Sequence, residues 1–407
     1  MTPCKLTNRL ARTSIATAFS LSLLSPLSHA SDTLEIGLPI PVTGPYAVDG
    51  KVMEQGARLA IETLNANGGV LGQQVSARVF DIGDLTPDKL QAAATELVER
   101  RKVVALINGY GGMGPDIPAF CPHAQPYLNN NATSAVVDMA ERQGCNNIFM
   151  AADVDQNYGK QLFSQIQNMG YSFAGKRIAV LYGPYDWEVG FTGGMRQAAE
   201  ADGWKVTLNE EVPYGTSQWA GTLNKLRMSK PDLVVLDMLD PSSVATFLDQ
   251  LRKNPLKGSV IFAGYSLSTP ALGTLVAQGG LDGVLGMTLS AQQPNETGTH
   301  FSQDWQKAYG EQPPLSIGAQ VYDEVMVWAS AVTRAGSATD YTAVKRELQN
   351  AHYSGVTGTL AFNVQRFIPS GDDTQPAQLL QAQAGKVVPL MIGSKQVSEF
   401  VKPSWLD

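Results

Sequence analysis

The sequence predicts an α/β protein of two doubly wound lobes, each a parallel sheet covered on both faces by helices. Three observations predict it. Short apolar runs alternate with stretches of helical periodicity along most of the chain. The 407 residues, 43% hydrophobic and 16% charged, exceed what one core usually organises. The pattern also breaks near Ala151 to Gln156, where the chain turns polar without a low-complexity linker.

The elements follow in order. Leu34, Ile36 and Leu38 alternate with Glu35 and Gly37 as a strand that Pro39 and Pro41 should stop. Met53, Gly56, Ala57, Ala60, Ile61 and Leu64 recur at helical spacing, and Asn67-Gly68-Gly69 should end that helix. Val75 to Phe80 is the next strand. Leu90, Ala93, Ala94, Leu97 and Val98 mark a helix leading into the strand Val103 to Ile107. The basic run Arg100 to Lys102 falls at that helix's C-terminus, where cations are favoured. Ile178 to Tyr182, Leu233 to Asp237 and Val260 to Ala263 read as further apolar strands, each with a helical pattern behind it. After about Leu281 the rhythm changes to two helices, around His300 to Tyr309 and Ile317 to Arg334. Three strands then close the chain, at Thr359 to Phe362, Leu379 to Gln383 and Val387 to Met391.

The chain carries 30 Lys plus Arg against 37 Asp plus Glu, a net charge of −7. Its first 30 residues hold Lys5, Arg9 and Arg12 and no acid, so the remainder stands at −10. Such a surface repels phosphate backbones, which argues against a nucleic-acid partner. Those three bases precede an apolar run from Ile15 to Leu24, then Pro26 and Ser28-His29-Ala30. This is the pattern of a signal peptide over 1–30, cut after Ala30. No other stretch is apolar for long enough to span a bilayer, so the expected mature protein is exported and not embedded in a membrane. Cys121 and Cys145 then remain, an even pair suited to an oxidising compartment. A bridge between them is the favoured reading, worth roughly 3 kcal/mol through the restricted unfolded chain. A metal site using Cys121 and His123 is the rival reading, although no pair among His123, His300 and His352 has ligand spacing. No metal or cofactor is expected.

Gly109-Tyr110-Gly111-Gly112-Met113-Gly114 follows a strand and matches a dinucleotide-binding spacing. Pro115 and Pro118 make a helix start there awkward, and no acidic residue ends the next strand as that reading needs. What remains is a glycine-rich turn suited to a small anion such as a carboxylate. There is no G-x-S-x-G, no H-E-x-x-H and no S-x-x-K paired with a second motif, so hydrolysis is disfavoured. Asp186, Asp237 and Asp240 lie at strand ends, where capping a helix and contacting a ligand are equally good readings. Tyr46, Tyr110, Tyr182, Tyr185, Trp187 and Tyr265 all sit just beyond predicted strands, the edge at which open α/β sheets bind ligands. Aromatic walls with a few placed polar groups suit a small organic molecule.

Pro39-Ile-Pro-Val-Thr-Gly-Pro-Tyr-Ala47, Gly50, Gly56, Leu59-Ala60 and Asn65-Ala-Asn-Gly-Gly-Val-Leu-Gly72 form a distinctive opening. With Asp81 to Pro87, the glycine turn and Asn131-Ala-Thr133 following in order, the chain resembles the solute-binding proteins of branched-chain amino-acid-type ABC importers. The resemblance spans essentially the whole chain after residue 30, with its specific motifs concentrated before Thr133. It implies the type I periplasmic-binding fold, with two lobes joined by three crossovers and a ligand clasped between them. The implied lobes are 31–152 plus 288–355 and 153–287 plus 356–407. Asp49, Tyr110, Asn131 and Thr133 resemble the family's first-lobe contacts, and Trp187, Asp240 and Ser266 its second-lobe contacts. Tyr46, Gly111, Gly112, Ala132, Asp186 and Tyr265 are neighbours placed to face the same cleft. Thr133 and the Tyr110 to Gly112 turn would then hold a ligand carboxylate.

Departures bear on the ligand. Amino-acid binders commonly carry an acid where Ser266 falls, Asp49 stands where an aromatic residue is frequent, and Asn131 replaces a small residue. The pocket therefore reads as more polar and more acidic than one for leucine, with Asp49 or Asp240 as the partner of a ligand's positive charge. The expected function is delivery of a small polar organic solute (an amino acid or a related amine, amide or carboxylate) to the membrane permease of an ABC importer, without enzymatic activity. An exported sensor subunit with the same fold is the alternative, and an exported hydrolase a weaker one.

Overall fold

The computed structural model describes residues 1–3, 33–112, 114–289, 292–315 and 317–407. The expected signal peptide and its cleavage point fall almost wholly on residues outside these. Contacts divide the chain into Met1–Ser31 and Asp32–Asp407, and every element below belongs to the second unit.

Two sheets organise it. The first has five parallel strands in the order β2-β1-β3-β4-β5: β1 (Leu34–Ile40), β2 (Val75–Asp81), β3 (Leu106–Asn108), β4 (Tyr127–Asn129) and β5 (Ile148–Met150). Between them run α1 (Ala47–Ala66), α2 (Pro87–Ala94) with a π-helical extension over Thr95–Arg100, α3 (Asp116–Phe120) and α4 (Ser134–Arg142). Pro39 was expected to end β1, yet it lies inside it. The odd-numbered residues of β1 face β3, and that ladder is recorded only at Gly37, so nothing on that side needs the donor Pro39 lacks.

The chain then crosses to a second sheet. There α5 (Asp155–Asn168), β6 (Arg177–Tyr182), α6 (Asp186–Ala201), β7 (Lys205–Glu211), α7 (Ala220–Ser229), β8 (Leu233–Asp237), α8 (Pro241–Lys253), β9 (Val260–Phe262), α9 (Gly273–Ala277) and β10 (Leu285–Thr288) follow one another. After β10 the chain returns to the first sheet as α10 (Glu296–Tyr309), α11 (Gly318–Ala335) and α12 (Tyr341–Gln349), of which α11 packs on α1, α12 and β3. A small hairpin, β11 (Tyr353–Ser354) with β12 (Thr359–Leu360), precedes the third passage between the sheets. It leads to β13 (Gln378–Gln383), β14 (Lys386–Ile392) and β15 (Lys395–Gln396). These three extend the second sheet in antiparallel fashion, giving the order β15-β14-β13-β10-β9-β8-β6-β7. The α/β class, the parallel strands and the β-rich end agree with the expectation. The strands β4, β5, β7 and β10 were not anticipated, because three are only three or four residues long and β7, an edge strand, is largely polar.

Each sheet is covered on both faces. Ile36, Leu38, Ile107, Leu128 and Phe149 pack with Met53, Val325 and Trp328 on one side of the first sheet. Leu181, Leu236 and Ile261 pack with Trp219 and Phe247 on one side of the second. Closeness of α1 to α11 needs a glycine: a Cβ on Gly56 would lie 2.2 Å from the Gly318 carbonyl oxygen. Cys121 and Cys145 are joined by a disulfide, so the alternative use of Cys121 in a metal site is excluded.

Candidate functional site

The carboxyl ends of the parallel strands in both sheets converge on one cavity of roughly 1100 Å³, counting the part open to solvent. The loop after β1 delivers Pro45 and Tyr46, and the first turn of α1 delivers Val48 and Asp49. Tyr110 follows β3, and Asn130, Asn131 and Ala132 follow β4. From the second sheet come Trp187 at the start of α6, Leu239 and Pro241 after β8, and Tyr265 and Ser266 in a 3₁₀ turn over Gly264–Ser268 after β9. Thr288 and Leu289 at the end of β10, Ile317 and Gln320 at the start of α11, and Leu85, Thr269 and Ala271 also line it. The cavity thus gathers Tyr46, Asp49, Tyr110, Asn131, Ala132, Trp187, Tyr265 and Ser266 of the residues expected from sequence.

The first-sheet side is a hydrogen-bonded frame. The Tyr110 hydroxyl donates to Asp49 Oδ2 at 2.7 Å, and its ring meets Tyr46 edge-on at 6.1 Å between centroids. Burial pushes the Asp49 carboxyl above its usual range against the opposing effect of that hydrogen bond. Asp49 Oδ1 has no hydrogen-bond partner among the described residues. Below lies a buried network around Asp116. Its Oδ2 accepts from the Tyr127 hydroxyl at 2.6 Å and from Asn131 Nδ2 at 2.7 Å, and its Oδ1 accepts from the Gly114 amide at 3.1 Å. Asn131 Oδ1 in turn accepts from the Gly111 amide at 2.9 Å, while the Tyr110 amide donates to Asn108 Oδ1 at 2.8 Å. Gly111 has to be glycine, since a Cβ there would lie 2.6 Å from the Tyr127 hydroxyl oxygen.

Three of the lining residues hold positive-φ backbone without being glycine, Leu85 at φ 62°, Ala132 at φ 56° and Ile317 at φ 49°. Such conformations cost free energy and persist where the surroundings impose them, commonly at binding sites.

The second-sheet side rests on a stack of aromatic rings and buried acids. Trp187 is buried and stacks on Phe191 at 5.5 Å. Behind it lie Glu188 and Asp237, both fully buried. Glu188 accepts from the Tyr214 hydroxyl and from the Leu239 amide, and its burial pushes its carboxyl up to about 7 despite those bonds. Burial first, then the charge of Glu188, raises the Asp237 carboxyl well above its usual range.

Other expected residues stand elsewhere. Asp240 caps α8: Oδ1 accepts from the Ser242 amide and hydroxyl, and Oδ2 from the Ser243 hydroxyl and the Gly215 amide. Burial raises its carboxyl, but these bonds outweigh that and hold it below the usual range. Asp186 is exposed in the first turn of α6. Thr133 is buried and caps α4 through an Oγ1 that accepts from the Val136 amide at 3.2 Å. Gly111 and Gly112 lie behind Tyr110 and outside the lining, and the Ser266 hydroxyl donates to the Met238 carbonyl at 2.9 Å. The glycine turn leads into α3, whose five residues are too few to present an anion site at its start. Asp116, Tyr127, Glu188, Thr288, Ile317 and Gln320 were not anticipated. They belong to no motif, and only the three-dimensional arrangement brings them to the site.

A family model for periplasmic binding proteins matches residues 33–386. The chain belongs to that family. It is of the branched-chain amino-acid ABC transporter type, as its relatives indicate. It is 25% identical over 386 residues to the Leu/Ile/Val-binding protein BraC3 of Rhizobium johnstonii, covering 93% of this chain and 98% of that protein. It is also 25% identical over 368 residues to the leucine-, isoleucine-, valine-, threonine- and alanine-binding protein of Pseudomonas aeruginosa, covering 90% of this chain and 95% of that one. A solved structure of a branched-chain amino acid ABC transporter protein from Silicibacter pomeroyi superposes with a TM-score of 0.84 at 24% identity, covering 92% of this chain and all of that one. LivJ from Streptococcus pneumoniae, solved with isoleucine, gives a TM-score of 0.75 at 19% identity over 91% of this chain and 100% of that chain. The fold is the type I periplasmic-binding fold. Among the described residues, no helix is long and apolar enough to cross a membrane.

Proposed function

We propose that this periplasmic binding protein is an exported receptor that holds one small organic solute in the cavity between its sheets and presents it to an ABC permease. The observation that carries this reading is the convergence of both sheets' carboxyl edges on one aromatic-walled cavity. The residues assigned to solute contact are Tyr46, Asp49, Tyr110, Trp187 and Tyr265, with Asn131 and Ala132 shaping the floor. Export rests on the sequence signal over 1–30, with cleavage after Ala30. The named relatives bind branched-chain and other small amino acids, which supports a solute of similar size here.

The mechanism is hinge closure. The lobes, expected as 31–152 plus 288–355 and 153–287 plus 356–407 but with the hairpin β11–β12 and the chain to Ile368 packed on the first sheet, would swing on their three connections, and a solute touching both stabilises the closed form. Shifting the population from 1% to 99% closed takes differential binding of about 5.5 kcal/mol. Ring contacts from Trp187, Tyr110 and Tyr265 with one charge-assisted hydrogen bond are of that order. No reaction is assigned to the cavity.

Isothermal titration with a panel of amino acids, amines, amides and carboxylic acids tests this, paired with small-angle scattering. The expected result is saturable binding of one class with a smaller radius of gyration. Binding without compaction overturns the hinge. No binding, with no solute mass on the purified protein, overturns the receptor reading.

A further inference from the structure

The solute class can be narrowed by what the cavity offers and what it withholds, an inference that rests on the receptor reading above. A buried carboxylate is held most strongly by a cation or by several free amide or hydroxyl donors at its oxygens. Among the described residues that line the cavity there is no Lys, Arg or His. Two central amides of the glycine turn are engaged from within: that of Tyr110 by Asn108 Oδ1 and that of Gly111 by Asn131 Oδ1. Asn131 is locked in that pose by its second bond, to the buried Asp116. The corner that the sequence offered to a carboxylate is therefore filled by the protein's own amide side chain.

What the cavity presents is of opposite character. Asp49 contributes a carboxylate whose Oδ2 is held by Tyr110 and whose Oδ1 has no partner among the described residues. Around it stand the faces and edges of Tyr46, Tyr110, Trp187 and Tyr265. Aromatic rings attract cations through the negative potential of their faces, and an adjacent carboxylate adds charge and direction. Glu188 and Asp237, buried behind Trp187, introduce no positive charge. We propose that the solute is a small organic ammonium compound without a carboxylate, its nitrogen on Asp49 and its apolar body among these rings.

Two head-group series test the proposal with body shape held constant. One comprises phenethylamine, phenylalanine, 3-phenylpropionate and 3-phenylpropanamide. The other comprises isoamylamine, leucine, 4-methylpentanoate and 4-methylpentanamide. The expected result, by isothermal titration, is that the amine of at least one series binds at least 10-fold tighter than its amino acid, carboxylate and amide counterparts. Asp49→Asn should weaken that amine at least 10-fold while leaving the amide within 3-fold. Asn131→Ala, which frees the Gly111 amide, should raise affinity for the matching carboxylate, with thermal unfolding reporting whether the variant is folded. An amino acid or carboxylate that binds as tightly as the amine, or an amine indifferent to Asp49→Asn, overturns the ammonium assignment and leaves the receptor reading standing. If both series are silent, native mass spectrometry of protein purified without refolding decides. A retained amine lacking a carboxylate supports the proposal, and any other retained solute overturns it alone. An empty protein overturns the receptor reading and the proposal together.

Discussion

Single residues show where one-dimensional reading succeeds and where it stops. Tyr46, Tyr110, Trp187 and Tyr265 were legible because each follows a strand whose apolar run is plain in the sequence, so its place at a sheet edge follows from chain direction alone, whereas Asp49 came only from the family resemblance. What each side chain bonds was not legible. Nothing local distinguishes Asp49, turned to the cavity, from Asp240, whose oxygens are taken up by four donors of its own neighbourhood. Asn131 was seen as an amide entering the cleft, but its two bonds, to Gly111 and Asp116, depend on partners 20 and 15 positions away. Backbone strain is equally hidden. Ala132 sits at φ 56°, where an L side chain costs roughly 1 kcal/mol. Ala132→Gly should therefore gain about 0.5 kcal/mol, strain relief being partly offset by the freer unfolded chain. Urea unfolding reads the difference, and a loss of stability would show that the methyl group packs usefully.

At the level of elements, helices with regular apolar spacing and strands with continuous apolar runs were recovered, the three-residue β3 and β9 among them, whereas the short strands β4, β5 and β10 were not. Those short strands are defined by their neighbours: β4 exists because β3 and β5 flank it. Helix ends divide the same way. The Asn67-Gly68-Gly69 stop after α1 is local chemistry, whereas the cap by Asp240 also ties α8 to the loop at Gly215. Asp240→Ala should cost about 1 kcal/mol of stability. It should also leave solute affinity within about 2-fold, because no oxygen of Asp240 faces the cavity. A large loss of affinity with unchanged stability would instead put Asp240 in contact with solute. Helix packing gives a second expectation. Gly56→Ala inserts a methyl group 2.2 Å from the Gly318 carbonyl oxygen, and forcing α1 and α11 apart should cost about 2 kcal/mol. Thermal unfolding with retained far-ultraviolet dichroism below the transition checks it.

Over the whole molecule, the net charge of −7 conceals an uneven distribution of protons. Burial raises the carboxyls of Asp116, Asp237, Glu188, Asp323 and Glu324, with Glu188 pushed up to about 7 and Asp323 to about 6. Each binds its proton more tightly folded than unfolded. Its contribution is therefore full below its unfolded value, near 4, and is lost as pH rises through its folded value, at roughly 1.4 kcal/mol per unit for each proton. Asp81, Asp240 and Asp372, held below their usual range, act in the reverse sense and lose their contribution only as the solution becomes more acidic than about pH 4. The melting temperature should consequently be higher at pH 5 than at pH 8, and Glu188→Gln should flatten part of that slope. Calorimetry across this range decides; stability that climbs steadily toward pH 8 would mean that these acids remain ionised in the fold.

The Cys121–Cys145 bridge closes a ring of chain that contains β4 and every cavity residue from Asn130 to Ala132. That stretch of the cavity wall thus hangs on a covalent loop that oxidation completes. Protein ripened in the cytosol, with both thiols intact, would share the sequence and yet grip its cargo with a looser hand. On the export route proposed above, oxidation of the two sulfurs would precede capture, because the segment they enclose is part of the cavity wall.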